Sequence, residues 1–127
     1  MTEAQGDQLV HHVPTGDAVL PAMVPSSYVT EESLRDGDPD EREAVHLSSA
    51  DGRFTVGTWR AEPYREFIEC YPGDEYARIV DGSVTITGED GRAQTFSAGD
   101  AYTMRRGWRG EYQVTQTLTK QFAFYVP

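Results

Sequence analysis

Only one cysteine, Cys70, occurs in the chain. It has no partner for an internal disulfide, which fits a reducing compartment. Histidine is almost as scarce. His11, His12 and His46 are the only three, and all precede the motif-bearing half of the sequence. No zinc-ligand spacing, phosphate loop, dinucleotide fingerprint or Ser-His-Asp cue occurs. No apolar run approaches the ~20 residues of a membrane span. The start, MTEAQGDQLVHHVP, lacks the basic and apolar stretches of a signal peptide, so a cytoplasmic, membrane-free protein is expected. Basic residues are also few, with 11 Lys and Arg against 21 Asp and Glu, for a formal charge of −10. Residues 1–51 hold 11 acids and two bases, Arg35 and Arg42, whereas residues 52–127 hold 10 acids and nine bases. The acidity thus belongs to the N-terminal third. Nucleic acid is not an expected partner, because phosphate binding needs a basic surface. The acidic third is either a solvated face or an arm for a basic partner.

The 127 residues suit one domain with one core. Residues 1–42 are rich in Pro, Gly, Asp and Glu and show no sustained period, so they read as an irregular acidic arm. Within it, TEESLRD (30–36) suits one short helical turn capped by Thr30. From Glu43 to Pro127 the texture changes. Short β-branched and aromatic runs such as RFTVGTWR, YREFIECY, EYARIV, SVTIT and KQFAFYV alternate with turn signals such as PGD, GEDG and SAGD. Strands at about 8–12-residue spacing, with no helical pattern between them, indicate an all-β antiparallel sandwich or barrel. In YREFIECY, Arg65, Phe67, Glu69 and Tyr71 share one face, and Tyr64, Glu66, Ile68 and Cys70 share the other. Both faces mix apolar and charged residues, so hydrophobicity does not decide which is inward. A strand with a carboxylate on each face suggests a barrel with a partly polar pocket.

One spacing is specific. YPGDEYARIVDG carries Glu75 and Gly82 in the pattern Glu-x6-Gly, and GDAYTMRRGWRG follows after a hairpin. Together they resemble the two signature motifs of the cupin superfamily. On that alignment the usual motif-one histidines fall on Glu69 and Tyr71. Gly99 and Gly107 match the motif-two glycines. The motif-two proline position holds Arg105, and its histidine position holds Gly110. The ending GDAYTMRRGWRGEYQVTQTLTKQFAFYV is similar to that of the (S)-ureidoglycine aminohydrolase-like cupins, and Gly57 and Trp59 fit that family's early Gly-x-Trp. The resemblance covers roughly residues 54–126 and implies a small antiparallel jelly-roll barrel, often dimeric. The family's named enzyme is a two-barrel, manganese-dependent hydrolase. A single barrel without the usual ligands does not inherit that activity.

The candidate site follows from these residues. Glu69, Tyr71 and Glu75 are the expected chemical groups. Close carboxylates do not both ionise cheaply, so one of the two glutamates is expected to move a proton with Tyr71 assisting. Trp59, Phe67, Tyr102, Trp108, Tyr112 and Phe122 are candidates to line the pocket, and each would also serve as plain core. Arg78, Arg105 and Arg109 could bind an anionic ligand or pair with the carboxylates. Cys70, with no His or Lys near it in sequence, reads as a small hydrophobe rather than a nucleophile. Three functional readings stay open. In the first, a small molecule binds in the barrel, with carboxylate and tyrosine acid–base chemistry of lyase, isomerase or hydrolase type. In the second, Glu69, Tyr71 and Glu75 hold a divalent metal such as Mn, Fe or Zn. In the third, the barrel is a non-catalytic platform for a partner. A homodimer is the expected assembly in each.

Overall fold

A computed structural model of the chain describes residues 9–127. The first eight residues of the expected arm lie outside the described residues. A short 3-10 helix, Gly16–Ala22, is the first element among the described residues. Nine antiparallel strands follow: β1 Val24–Pro25, β2 Leu34–Gly37, β3 Arg42–Ser48, β4 Phe54–Ala61, β5 Tyr64–Ile68, β6 Asp74–Gly88, β7 Ala93–Ser97, β8 Ala101–Met104 and β9 Gly110–Tyr125. The molecule is all-β, as the turn spacing and β-branched runs predict. Among the described residues no helix is long and apolar enough to cross a membrane.

Strand β9 is the spine. Leu118–Tyr125 pairs with β4 and Gly110–Val114 with β5. Along its other edge β9 runs beside β6 from Tyr125 to Gly110. The far edge of β6 is shared by β8, on Glu75–Arg78, and β7, on Ser83–Thr87. Register shifts between Ile79 and Val84 divide these two halves. Extra residues of this kind bend a strand and raise its twist, so the sheet curls around them. Gly82, the closing glycine of Glu-x6-Gly, sits at the bend with φ +82°. A Cβ there would run into the Thr117 carbonyl oxygen. Only glycine meets both demands.

The curled sheet encloses one main core, with Ile79, Val84, Val114 and Leu118 fully buried. The hairpin at Gly88–Arg92 forms as Asp90-Gly91 suggests, with Gly91 at φ +81°. The segment before β3 is tied to the sheet at two places: β1 pairs with β3 and β2 with β5. The turn expected at residues 30–36 is shorter than its sequence suggests. Thr30 Oγ1 accepts the Ser33 N–H at 3.1 Å, as a cap would, but the chain becomes β2 at Leu34. Pairing with β5 and burial against the core outweigh a weak local helix preference.

Candidate functional site

A cavity of about 580 Å³ opens into the barrel. Its walls come mainly from β4, β5 and β9. Its mouth is framed by exposed residues of two loops, among them Tyr28, Thr30, Glu69 and Cys70. Alternation along β9 explains the lining. Tyr112, Val114, Leu118, Lys120, Phe122 and Phe124 occupy even positions and turn inward, so one lysine stands in an otherwise apolar stripe. On β5, Tyr64 and Glu66 turn inward, while Arg65 and Phe67 are half-buried.

Lys120 is buried and completely partnered. Its Nζ lies 3.1 Å from Glu75 Oε2. It also donates to the Tyr102 hydroxyl at 3.0 Å and the Tyr112 hydroxyl at 3.2 Å. Those three acceptors match the three N–H bonds of an ammonium. The nitrogen also sits 5.1 Å from the Trp59 ring centroid and 5.2 Å from that of Tyr112, within cation–π range. Burial pulls an ammonium pKa down, but here Glu75 and the surrounding phenol oxygens outweigh it and keep Lys120 charged, above its usual value. The other Glu75 oxygen, Oε1, accepts the Tyr71 hydroxyl at 2.7 Å. Burial raises the Tyr71 phenol well above its ordinary range despite the nearby lysine, so it stays a neutral donor.

Glu66 is different. It is only 7 % exposed. The Tyr64 hydroxyl donates to its Oε2 at 2.6 Å. Among the described residues no Lys, Arg or His comes within ion-pair distance of it. Burial pushes the Glu66 carboxyl up, and the hydroxyls of Tyr64 and Ser33 only partly pull it back. A third buried carboxylate, Glu41, stands apart from the cavity. It is saturated by neutral donors: Ser26 Oγ at 2.9 Å, the Val29 N–H at 2.7 Å and Trp59 Nε1 at 3.0 Å.

Of the expected site residues, Tyr71 and Glu75 meet at the cavity, and Trp59, Phe67, Tyr112 and Phe122 border it. Glu69 lies at the mouth, with its side chain 70 % exposed, and pairs with Arg109. It does not share the interior with Glu75. The reason is local: β5 ends at Ile68, and the bend that follows breaks the alternation which would have carried Glu69 and Tyr71 to one side. The backbone of Tyr71 is then clamped by the β8–β9 loop. Its N–H donates to the Trp108 carbonyl and its carbonyl accepts from the Gly107 N–H, both at 2.8 Å. Trp108 itself packs against the core, and Tyr102 is buried against Tyr112 at 3.0 Å between hydroxyls; neither borders the cavity. Arg78 is exposed on β6 and bonds the Gly99 carbonyl and the Tyr76 hydroxyl. Arg105 is exposed too. His46 lies 2.7 Å from Thr58 Oγ1, away from the cavity. Sequence reasoning missed Lys120 and Glu66. The signal for Lys120 was present in TLTKQFAFY, where a lysine interrupts the apolar face of an alternating strand. For Glu66 the alternation was visible, but which side faced inward was not.

The Glu69, Tyr71 and Glu75 set does not fit a divalent metal. Glu69 is outside, Tyr71 is held as a phenol, and both Glu75 oxygens are engaged by Tyr71 and an ammonium. Among the described residues no group of three or more His, Cys, Asp or Glu is placed to hold an ion. The fixed positive charge of this barrel is a lysine's.

Residues 48–122, more than half of the chain, match the EutQ-like cupin domain. The chain belongs to that cupin family. No curated protein matches it. Among solved structures, this cupin is similar to a DUF861-family protein of unknown function from Pseudomonas syringae pv. tomato, with TM-score 0.75 and 20 % identity. That match covers 80 % of this chain but 43 % of the Pseudomonas protein, so the chain spans less than half of it. It is also similar to the Clostridium difficile EutQ protein, with TM-score 0.60 and 19 % identity over 84 % of this chain and 83 % of that one. An acetylacetone dioxygenase from Acinetobacter johnsonii gives TM-score 0.66 at 13 % identity, over 93 % and 75 %. At these identities the likeness speaks for the fold. One cupin barrel serves relatives with different names, so function must be argued from the site.

Proposed function

We propose that this cupin binds a small organic molecule in the barrel and moves a proton on it with Glu66. One observation carries the proposal. Glu66 is a buried carboxylate with a raised pKa and no ion-pair partner, and it borders a cavity of small-molecule size. A carboxyl moved up from its ordinary value is better matched to taking and giving a proton near neutral pH. Tyr64 orients it. Glu75, one of the two glutamates expected from sequence to move the proton, pairs with Lys120, and Tyr71, expected to assist it, donates to the other Glu75 oxygen. Lys120 has no N–H left for a ligand, so it acts through its field and its shape. Such a set suits lyase, isomerase or hydrolase steps that turn on one proton transfer.

The similarity of residues 99–126 to the (S)-ureidoglycine aminohydrolase-like cupins supports placing this chain near that branch of the family. The exposed Val24, Val45 and Leu47 on β1 and β3 support a homodimer, which light scattering on the purified chain would check. A mixed fragment panel, followed by backbone amide NMR, tests the central proposal. Bound fragments should shift amides of Tyr64–Ile68 and the inward positions of β9. Shifts confined to the opposite surface, around Tyr76 and Thr103, would contradict it.

A further inference from the structure

The charge around the cavity is out of balance. Four acids border it, Glu32, Glu66, Glu69 and Glu75, against one base, Lys120. Lys120 is taken up by Glu75. Glu69 is answered by Arg109, which stands outside the cavity. Of the acids that border the cavity, Glu66 is therefore the buried one with no ion-pair partner among the described residues. An anionic ligand would add a second negative charge beside it in a poorly solvated place, which is costly. A cation would complete the pair.

The walls point the same way. Trp59, Tyr64, Tyr112, Phe122 and Phe124 present aromatic surface to the cavity, and ring faces carry the negative end of the quadrupole. Lys120 Nζ already sits over the Trp59 and Tyr112 rings, so those two offer a ligand apolar contact, and the ligand's charge is left to Glu66. Glu66 also has acceptor capacity left. A carboxylate offers about four lone-pair sites; Tyr64 uses one on Oε2 and the Ser33 hydroxyl another. An ammonium could take Oε1 in a charge-assisted hydrogen bond, which is stronger than a neutral one.

We infer that the ligand of this cavity is a small organic cation whose protonated nitrogen pairs with Glu66 and whose apolar body lies against Trp59, Tyr112 and Phe122. This rests on the reading of the cavity as a ligand site built around Glu66. It goes further by naming the ligand class and by excluding carboxylates and phosphates.

Calorimetric titration near neutral pH and physiological salt tests it with matched probes of three sizes. These are ethylamine, phenethylamine and tryptamine, each beside the alcohol and the carboxylate of the same skeleton. For at least one size the ammonium should bind roughly ten- to hundredfold tighter than its alcohol, with no measurable binding of the carboxylate. Glu66→Gln should erase that preference and Glu69→Gln should keep it. The order of the three classes is read on the wild-type protein, so it stands whatever the variant's stability. An alcohol or carboxylate that binds as tightly as the ammonium overturns the cation assignment but leaves the ligand site standing. If no probe of any class binds, both the assignment and the ligand site fall.

Discussion

Glu75 and Glu66 border one cavity from two strands, and both are buried, yet their surroundings differ. Around Glu75 every group is answered within the protein: ammonium to carboxylate, phenol to carboxylate, ammonium to two phenols. Around Glu66 the hydroxyls of Tyr64 and Ser33 are the donors, and among the described residues no Lys, Arg or His comes within ion-pair distance. Both carboxylates meet the same low dielectric, but only one has its countercharge built in. The difference teaches where to look for function. A closed polar cluster gives the barrel a single arrangement, whereas an open one waits for a partner. Cupin sites are often pictured as built around a metal bound by several side chains. In this chain a lysine from the spine strand supplies the positive charge.

The largest effect should come from breaking the closed cluster. Lys120→Met leaves Glu75 buried without its ion partner and should cost about 3–5 kcal/mol in denaturant unfolding. Adding Glu75→Leu should recover most of that loss, because an apolar pair replaces an ionic one. A double variant no more stable than the single would mean that the ion pair is not what makes Lys120 necessary.

The next effect tests the bend in β6 that curls the sheet around the cavity. Gly82→Ala would put a side chain at positive φ and against the Thr117 carbonyl. A loss of at least about 2 kcal/mol is expected. A variant as stable as wild type in thermal unfolding would mean that the bend tolerates other residues.

Opening the comparison at Glu66 should act with the opposite sign. Its carboxyl is raised in the fold, so the stability it contributes is complete below the unfolded value of about 4.3 and is lost as pH rises through the folded value. Glu66→Gln suffers no such loss. The variant should match wild type in acid and gain on it toward neutral pH, by at most about 2 kcal/mol. Melting curves across pH would show it. A variant less stable than wild type at neutral pH would mean that Glu66 is a structural group. The smallest effect belongs to the mouth. Glu69 and Arg109 are an exposed pair, and such pairs contribute little. Glu69→Gln should leave both the melting temperature and the phenethylamine affinity unchanged.

The fold was open to reading because its signals are local. Turn residues, β-branched runs and Glu-x6-Gly each act within a few positions, and Gly82 needs only its own φ and one close neighbour. The site was less open because it depends on which side of a strand faces inward. Glu69, Tyr71 and Glu75 are grouped by their places in the cupin motif, and alternation sets Glu69 and Tyr71 on one face, but alternation stops where β5 ends. Lys120 is paired with Glu75 across 45 positions of sequence, through β6–β9 pairing that no local pattern records. The aromatic lining was read in part. Trp59, Phe67, Tyr112 and Phe122 border the cavity, whereas Tyr102 and Trp108 serve the packing around it.

Glu66 is proposed as an open buried carboxylate which a ligand cation completes. Its most direct test is a pH titration of the Glu66 side-chain carboxyl by carbon NMR, with and without saturation by whichever of the three amines binds most tightly. The expected result is a titration above the ordinary carboxylate range in the free protein and a clear downward shift when the amine is bound. A Glu66 carboxyl that titrates at its ordinary value in the free protein, or one that the amine leaves unmoved, would contradict it.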